Sequence, residues 1–130
     1  MRAPNRLRHN DDFRLTTRKG VSAARSHVIV HLAILSSSEL KRTQKEPRVG
    51  FVVSKKVGNS VVRSRTKRRL REIMRARLDS LPEYASVVVR TRAGINEIDH
   101  DTLCGEVDSA LTSALRKLDK STAKKEGAGK

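Results

Sequence analysis

Arg48-Val-Gly-Phe-Val-Val-Ser54, then Lys55-Lys-Val-Gly-Asn59, then Ser60-Val-Val-Arg-Ser-Arg-Thr-Lys-Arg-Arg-Leu-Arg-Glu72: the fold turns on how this stretch is read. Its first part is rich in β-branched residues and predicts a strand. Val49, Phe51 and Val53 share one face of that strand. Gly50, Val52 and Ser54 share the other, a small and partly polar set that suits an open face rather than a core. Lys55, Lys56, Val57 and Gly58 form a basic turn, and Asn59 is placed to cap a helix. Beyond it the apolar period changes from 2 to 3.6. Val62, Leu70, Ile73, Met74, Leu78 and Leu81 make one stripe of a helix predicted over about 60–80, before Pro82.

The same segment concentrates charge. Lys55, Lys56, Arg63, Arg65, Lys67, Arg68, Arg69, Arg71, Arg75 and Arg77 are ten basic residues set against one acid, Glu72. On the predicted helix Arg65, Arg68, Arg69, Arg71 and Arg75 fall opposite the Leu70, Ile73 and Met74 stripe. A merely solvated helix face interleaves Glu with Lys at four-residue spacing, and like charges at that spacing destabilise. Arginine binds phosphate bidentately and stacks on bases, so a docked helix presenting guanidinium groups predicts a phosphate-backbone partner.

The pattern works outward on both sides. Asn10, the acids Asp11 and Asp12, the bases Arg18 and Lys19, and Gly20 predict a short helix over about 10–18. His27 to Leu35 alternates, with Val28, Val30, Leu32 and Ile34 on the buried side and His31 and Ala33 on the other, which predicts a strand. Residues 36–47 are polar, end in Pro47 and predict a loop. Ala85 to Arg92 is a further strand, stopped at Ala93-Gly94. From Asp99 or Asp101 a last helix carries Leu103, Val107, Ala110, Leu111, Ala114, Leu115 and Leu118 inward. The order is helix, two or three strands, long helix, strand, helix. This is an α+β chain in which helices pack on a small sheet. Residues 1–118 are read as one RNA-binding domain and 119–130 as a disordered basic tail with nothing to bury.

Composition narrows the function. Of 130 residues, 29 are Lys or Arg and 14 Asp or Glu, so 29 − 14 leaves a net +15. Such self-repulsion is tolerable chiefly with a polyanion partner. No apolar run approaches the ~18 residues of a membrane span, so no membrane partner is expected. The basic N-terminus lacks the apolar stretch of a signal peptide. The lone Cys104 cannot form an internal disulfide, sits on the apolar side of its helix, and fits a reducing cytoplasm. His9, His27, His31 and His100 lack Cys or His partners at zinc spacing. No P-loop and no paired catalytic carboxylates occur, so neither a small-molecule cofactor nor an autonomous ribonuclease is indicated. A ribosomal or ribosome-assembly protein shares the charge and is the alternative class.

Residues 48–72, with their strand, Ser-Lys-Lys turn, Gly-Asn helix start and Arg63-Ser64-Arg65 core followed by Lys67-Arg68, resemble the signature segment of the bacterial ribonuclease P protein family. Arg6-Leu7, Asp12-Phe13 and Gly20 are placed as in that family's first helix, and the resemblance covers about 5–118. It departs at Ser64, where the family usually carries Asn. The resemblance implies a two-layer α/β sandwich with a small mixed sheet and a left-handed βαβ crossover. It implies a non-catalytic subunit of a ribonucleoprotein endoribonuclease that removes the 5′ leader of precursor tRNA, with a catalytic RNA acting through Mg²⁺. Lys55, Lys56, Asn59, Arg63, Ser64, Arg65, Lys67, Arg68, Arg69 and Arg71 would bind the RNA subunit. Phe13, His31, Val52 and Ser54 would line a cleft for the single-stranded leader. The family often has more aromatics there, near Thr17 and His31. Here the aromatics are Phe13, Phe51 and Tyr84, so stacking should be weaker and the affinity more electrostatic.

Overall fold

A computed structural model describes the backbone of residues 10–35 and 46–128, with side chains described over 13–35 and 46–120. Helix α1 spans Asn10–Lys19. Strands β1 (Val21–Ala24) and β2 (Val28–Ile34) form a hairpin. Strand β3 (Arg48–Val52) leads through a 3₁₀ turn at Lys55–Val57 into α2 (Ser60–Arg75). Strand β4 (Ala85–Thr91) and α3 (His100–Ala128) complete the order. The sheet runs β1-β2-β4-β3, with β3 parallel to β4 and the other pairs antiparallel. A parallel neighbour needs a crossover, and α2 supplies it.

One face of the sheet holds the main core. Ala23, Val28, Val30, Leu32, Val49, Ala85, Val87 and Val89 meet Leu70, Ile73 and Met74 of α2 and Leu103, Val107, Ala110, Leu111 and Ala114 of α3. Each strand contributes alternate residues, as the pleat requires. Val49↔Val87 and Phe51↔Val89 register on this face, while Gly50↔Val88 and Val52↔Arg90 register on the other. Among the described residues, the second face is covered by α1. There Leu15 packs on Ala33 and Leu35, and Thr16 Oγ1 lies 2.6 Å from Ser86 Oγ in a buried hydroxyl pair.

Some sequence expectations change. Strand β1 is not foreseen individually, because Val-Ser-Ala-Ala has little strand propensity; pairing with β2, which buries Ala23 against Val30, makes it a strand. Ile34, expected on the buried side, is 43% exposed, since at this end of β2 Ala33 and Leu35 turn in under Leu15. The long helix stops at Arg75 rather than near 80. Arg77 closes it by donating to the Ile73 carbonyl (2.6 Å), and a 3₁₀ turn at Leu78–Ser80 carries the chain to buried Leu81. Thr66 joins the apolar stripe between Val62 and Leu70; it is buried and donates its hydroxyl to the Val62 carbonyl at 2.9 Å. Asp99, rather than Asp101, caps α3 by accepting from the Thr102 N–H at 2.7 Å. The α3 backbone is helical to Ala128, continuing through the segment from 119 that was read as tail. Arg6, Leu7 and most of the 36–47 loop lie outside the described residues.

Gly20 works by close approach. A Cβ built there would lie 2.4 Å from the Leu32 carbonyl oxygen and 2.6 Å from that of Thr16, both fixed backbone atoms. Only glycine lets the end of α1 seat on β2. Gly20→Ala is therefore expected to lower unfolding stability by about 2 kcal/mol, the usual cost of overpacking, read as a lower midpoint in urea with an unchanged slope.

Candidate nucleic-acid interface

The turn before α2 is built by short-range hydrogen bonds that sequence chemistry dictates. Ser54 Oγ accepts from the Lys56 N–H at 3.2 Å, and Asn59 Oδ1 accepts from the Val62 N–H at 3.0 Å. Gly58 has φ +155°, and a Cβ there would press on Val62 at 2.9 Å. Val57 is buried beneath the turn, so Lys55 and Lys56 stand exposed on it. The Asn59 oxygen is thus engaged as a cap, while the residue itself is exposed.

Helix α2 divides its arginines into three groups. Arg65, Arg68 and Arg75 are exposed, with Ser64, on the side away from the core. Ser60, Val61, Ser64, Arg65 and Arg68 line a shallow depression of about 330 Å³ there, and Val61 is 65% exposed. Glu72 lies 3.4 Å from Arg75 in an open ion pair that contributes little. Arg69 is half-buried and donates to the Ile98 carbonyl at 3.0 Å, tying α2 to the segment before α3. Arg63 and Arg71 are also half-buried, and their Nε atoms are buried without a partner, so their stems lie back along the protein. The expectation that Arg69 and Arg71 stand fully opposite the apolar stripe is corrected. A helix stripe this wide leaves its flanking positions half-covered by neighbouring elements.

A second concavity opens beside the first. Phe13 and Arg14 of α1, Phe51, Val52 and Val53 of β3 and its continuation, and Lys67 of α2 line a groove of about 460 Å³. The structure therefore brings Phe13 and Val52 together as expected and adds Lys67, which sequence reasoning assigned to the other surface. His31 and Ser54 do not line it. Ser54 is half-buried, accepts from the Lys56 N–H, and donates its own N–H to Thr91 Oγ1 at 3.1 Å. His31 sits on the open face opposite Ser22 and Val88, half-buried. Burial, and then the charge of Arg90, hold its imidazole below the ordinary value of 6.5. Arg90 itself was missed, although the alternation of Ser86, Val88 and Arg90 against Val87, Val89 and Thr91 places it on the open face.

This arrangement has close relatives. The chain matches the family described as Ribonuclease P over residues 1–115. It belongs to the ribonuclease P protein family. The ribonuclease P protein component of Streptomyces griseus is 43% identical over 113 residues, covering 85% of this chain and 92% of that one. That of Thermobifida fusca is 40% identical over 113 residues, covering 86% and 77%. Among solved structures, the ribonuclease P protein of Thermotoga maritima superposes with TM-score 0.66 at 27% identity, covering 85% of this chain and 96% of that one. The Staphylococcus aureus ribonuclease P protein shares the fold, with TM-score 0.73 at 24% identity over 85% and 94%. The α+β architecture expected from the sequence is thus that of the ribonuclease P proteins.

The acids of this ribonuclease P family member are committed to structure at several points. Glu106 on α3 accepts from the His27 N–H at 2.8 Å, and its other oxygen is 2.5 Å from His27 Nδ1, holding the β1–β2 turn. Asp108 receives the Arg77 guanidinium, which keeps its carboxyl below the usual carboxylate range. Cys104 is half-buried, packs against the main core and lies 3.4 Å from His100 Nε2.

Two predictions follow from the partition of charge. Arg65→Ala and Arg68→Ala should each weaken RNA binding about tenfold and flatten its dependence on log salt by about 0.7–0.9. Thermal stability should be unchanged, whereas Arg69→Ala should lower it by about 1 kcal/mol through loss of the Ile98 contact; binding isotherms across salt and thermal melts separate the two. For His31, a folded-state value below the unfolded one means the unfolded chain binds the proton first. Stability should therefore fall as pH drops below about 6.5 and level off once the folded form is also protonated. His31→Gln should flatten that part of the stability–pH curve.

Proposed function

We propose that this chain is the protein subunit of a ribonuclease P holoenzyme that removes the 5′ leader from precursor tRNA. The observation that carries this reading is the exposed arginine face of α2 in a member of the ribonuclease P family, with Glu72 the lone acid on that helix. The outer face of α2, with Lys55 and Lys56, grips the RNA subunit. The groove and open sheet face, with Phe13, Val52, His31 and Arg90, receive the single-stranded leader. Extended RNA is commonly held this way, by apolar platforms for bases between basic walls for phosphates.

In this reading the RNA subunit hydrolyses the phosphodiester with Mg²⁺, and the protein acts by electrostatics and placement. Neutralising phosphates where two RNAs converge lowers their mutual repulsion, so less Mg²⁺ is needed to hold substrate and RNA subunit together. The roles of Asp99, Asp108 and Glu106 as cap, ion-pair partner and turn clamp support a protein that contributes no acid–base pair of its own. The compartment is the cytoplasm, where a free thiol such as Cys104 stays reduced.

The deciding experiment is cleavage of precursor tRNA by a ribonuclease P RNA at low Mg²⁺, with and without this protein. Stimulation that fades as Mg²⁺ is raised is expected. Absence of stimulation at every Mg²⁺ concentration would overturn the proposal.

A further inference from the structure

Strand β3 leaves the sheet at a side chain rather than at a backbone group. Its registered pairs with β4 end at Val52↔Arg90. In a parallel ladder the next rung would carry the Ser54 N–H to a backbone carbonyl of β4. That N–H goes instead to the Thr91 hydroxyl at 3.1 Å, and the same hydroxyl donates to the Val52 carbonyl at 3.3 Å. A hydroxyl can do both at once, because it carries one donor and two acceptor lone pairs. Thr91 alternates with the core residues Val87 and Val89 along β4 and is 5% exposed.

The consequences run onward along the chain. Held through its N–H, Ser54 offers its own Oγ to the Lys56 N–H at 3.2 Å and caps the 3₁₀ turn at Lys55–Val57. The Val57 N–H closes that turn on the Ser54 carbonyl at 3.1 Å, which buries Val57 and leaves Lys55 and Lys56 exposed. Asn59 then caps α2 through the Val62 N–H. Among the described residues no carboxylate pairs with Lys55 or Lys56, so the backbone of the turn sets where they stand. The basic turn and the first turn of α2 thus share one starting point, and the Thr91 hydroxyl fixes it.

Resting on the reading above that these lysines and the outer face of α2 grip the RNA subunit, we infer that Thr91 is a positioning residue for that contact. It is buried and acts at one remove, through Ser54. By fixing the point at which the chain leaves the sheet, it fixes where Lys55 and Lys56 stand against the phosphate backbone. Threonine meets three demands there: a β-branched shape for the strand, a methyl for the core and a hydroxyl for the exit. Valine meets the first two and leaves the Ser54 N–H without its acceptor. An N–H so orphaned is costly, and the chain must shift to find water or another acceptor, carrying the turn with it.

The test compares Thr91→Val with Thr91→Ser in the whole chain, binding a ribonuclease P RNA across a range of salt at a temperature where melts show both variants folded. Thr91→Val should weaken binding about fivefold and flatten its dependence on log salt by about 0.7–0.9, one phosphate contact. Thr91→Ser keeps the hydroxyl and should restore both. Hydrogen exchange at the Ser54 and Lys56 amides should quicken in Thr91→Val and not in Thr91→Ser. In a Lys55→Ala/Lys56→Ala background Thr91→Val should cause no further loss, because the contact it positions is already gone. An unchanged salt slope in Thr91→Val, an equal loss in Thr91→Ser, or an additive loss in the lysine-free background would each overturn the inference. If Thr91→Val does not fold, Ser54→Ala carries the test. It removes the cap on Lys56 while leaving the Thr91 bonds in place, and should flatten the slope by the same amount; an unchanged slope sinks the positioning role. Should Lys55→Ala/Lys56→Ala itself bind the RNA as tightly as wild type, the functional reading of the turn fails. If that variant is weakened and Thr91→Val is not, the positioning role alone fails.

Discussion

The parallel pairing of β3 with β4 organises everything else in this protein. Two parallel neighbours cannot be joined by a hairpin, so the chain must leave the sheet after β3 and return along α2. That crossover lays the apolar stripe of α2 on the sheet and turns its arginines outward. It also leaves β3 as an edge, with α1 beyond it on one face and α2 on the other. The exposed arginine face and the groove are both consequences of one strand pairing.

The energetics divide along the same line. Burial of Leu70, Ile73 and Met74 against Val49, Val87 and Val89 is the kind of contact worth roughly 1.5–3 kcal/mol per side chain. It therefore outweighs the few tenths lost to each like-charge pair along the helix. The core can hold in place a helix whose surface would not stabilise itself. Part of the basic excess is then recruited into the structure: Arg69 to the Ile98 carbonyl, Arg77 to Asp108, and Arg25 to Ser109 at 2.9 Å. What remains exposed is the portion left for a polyanion.

The second face of the sheet follows an opposite logic. It is polar and shallow, with Ser22, His31, Ser86 and Arg90 among its residues, and α1 covers only the part where Leu15 and Thr16 meet Ala33 and Ser86. Gly20 permits that seating by removing a side chain from the contact. Among the described residues, the groove at Phe13 links this face to the flank of α2. The groove and the exposed arginine face of α2 are therefore adjoining regions, with Lys67 of α2 lining the groove.

Much of this was legible in the sequence. The 2-to-3.6 change of period at Asn59, its role as cap, the shared face of Gly50 and Val52, and the arginine density of α2 are local properties, set by residues within a few positions of one another. Strand β1, the burial of Thr66, the exposure of Ile34 and the half-burial of Arg69 and Arg71 were not, because each depends on what another element places beside it. The same holds for the groove. Phe13, Phe51 and Lys67 are dispersed along the chain, and no periodicity relates them. The sequence by itself determined that this chain carries an arginine-dense helix on a small α+β core, since charge, capping and apolar spacing are written locally. Only the tertiary structure decided which arginines remain free and that both phenylalanines face one groove, because those depend on β3 pairing at the edge of the sheet.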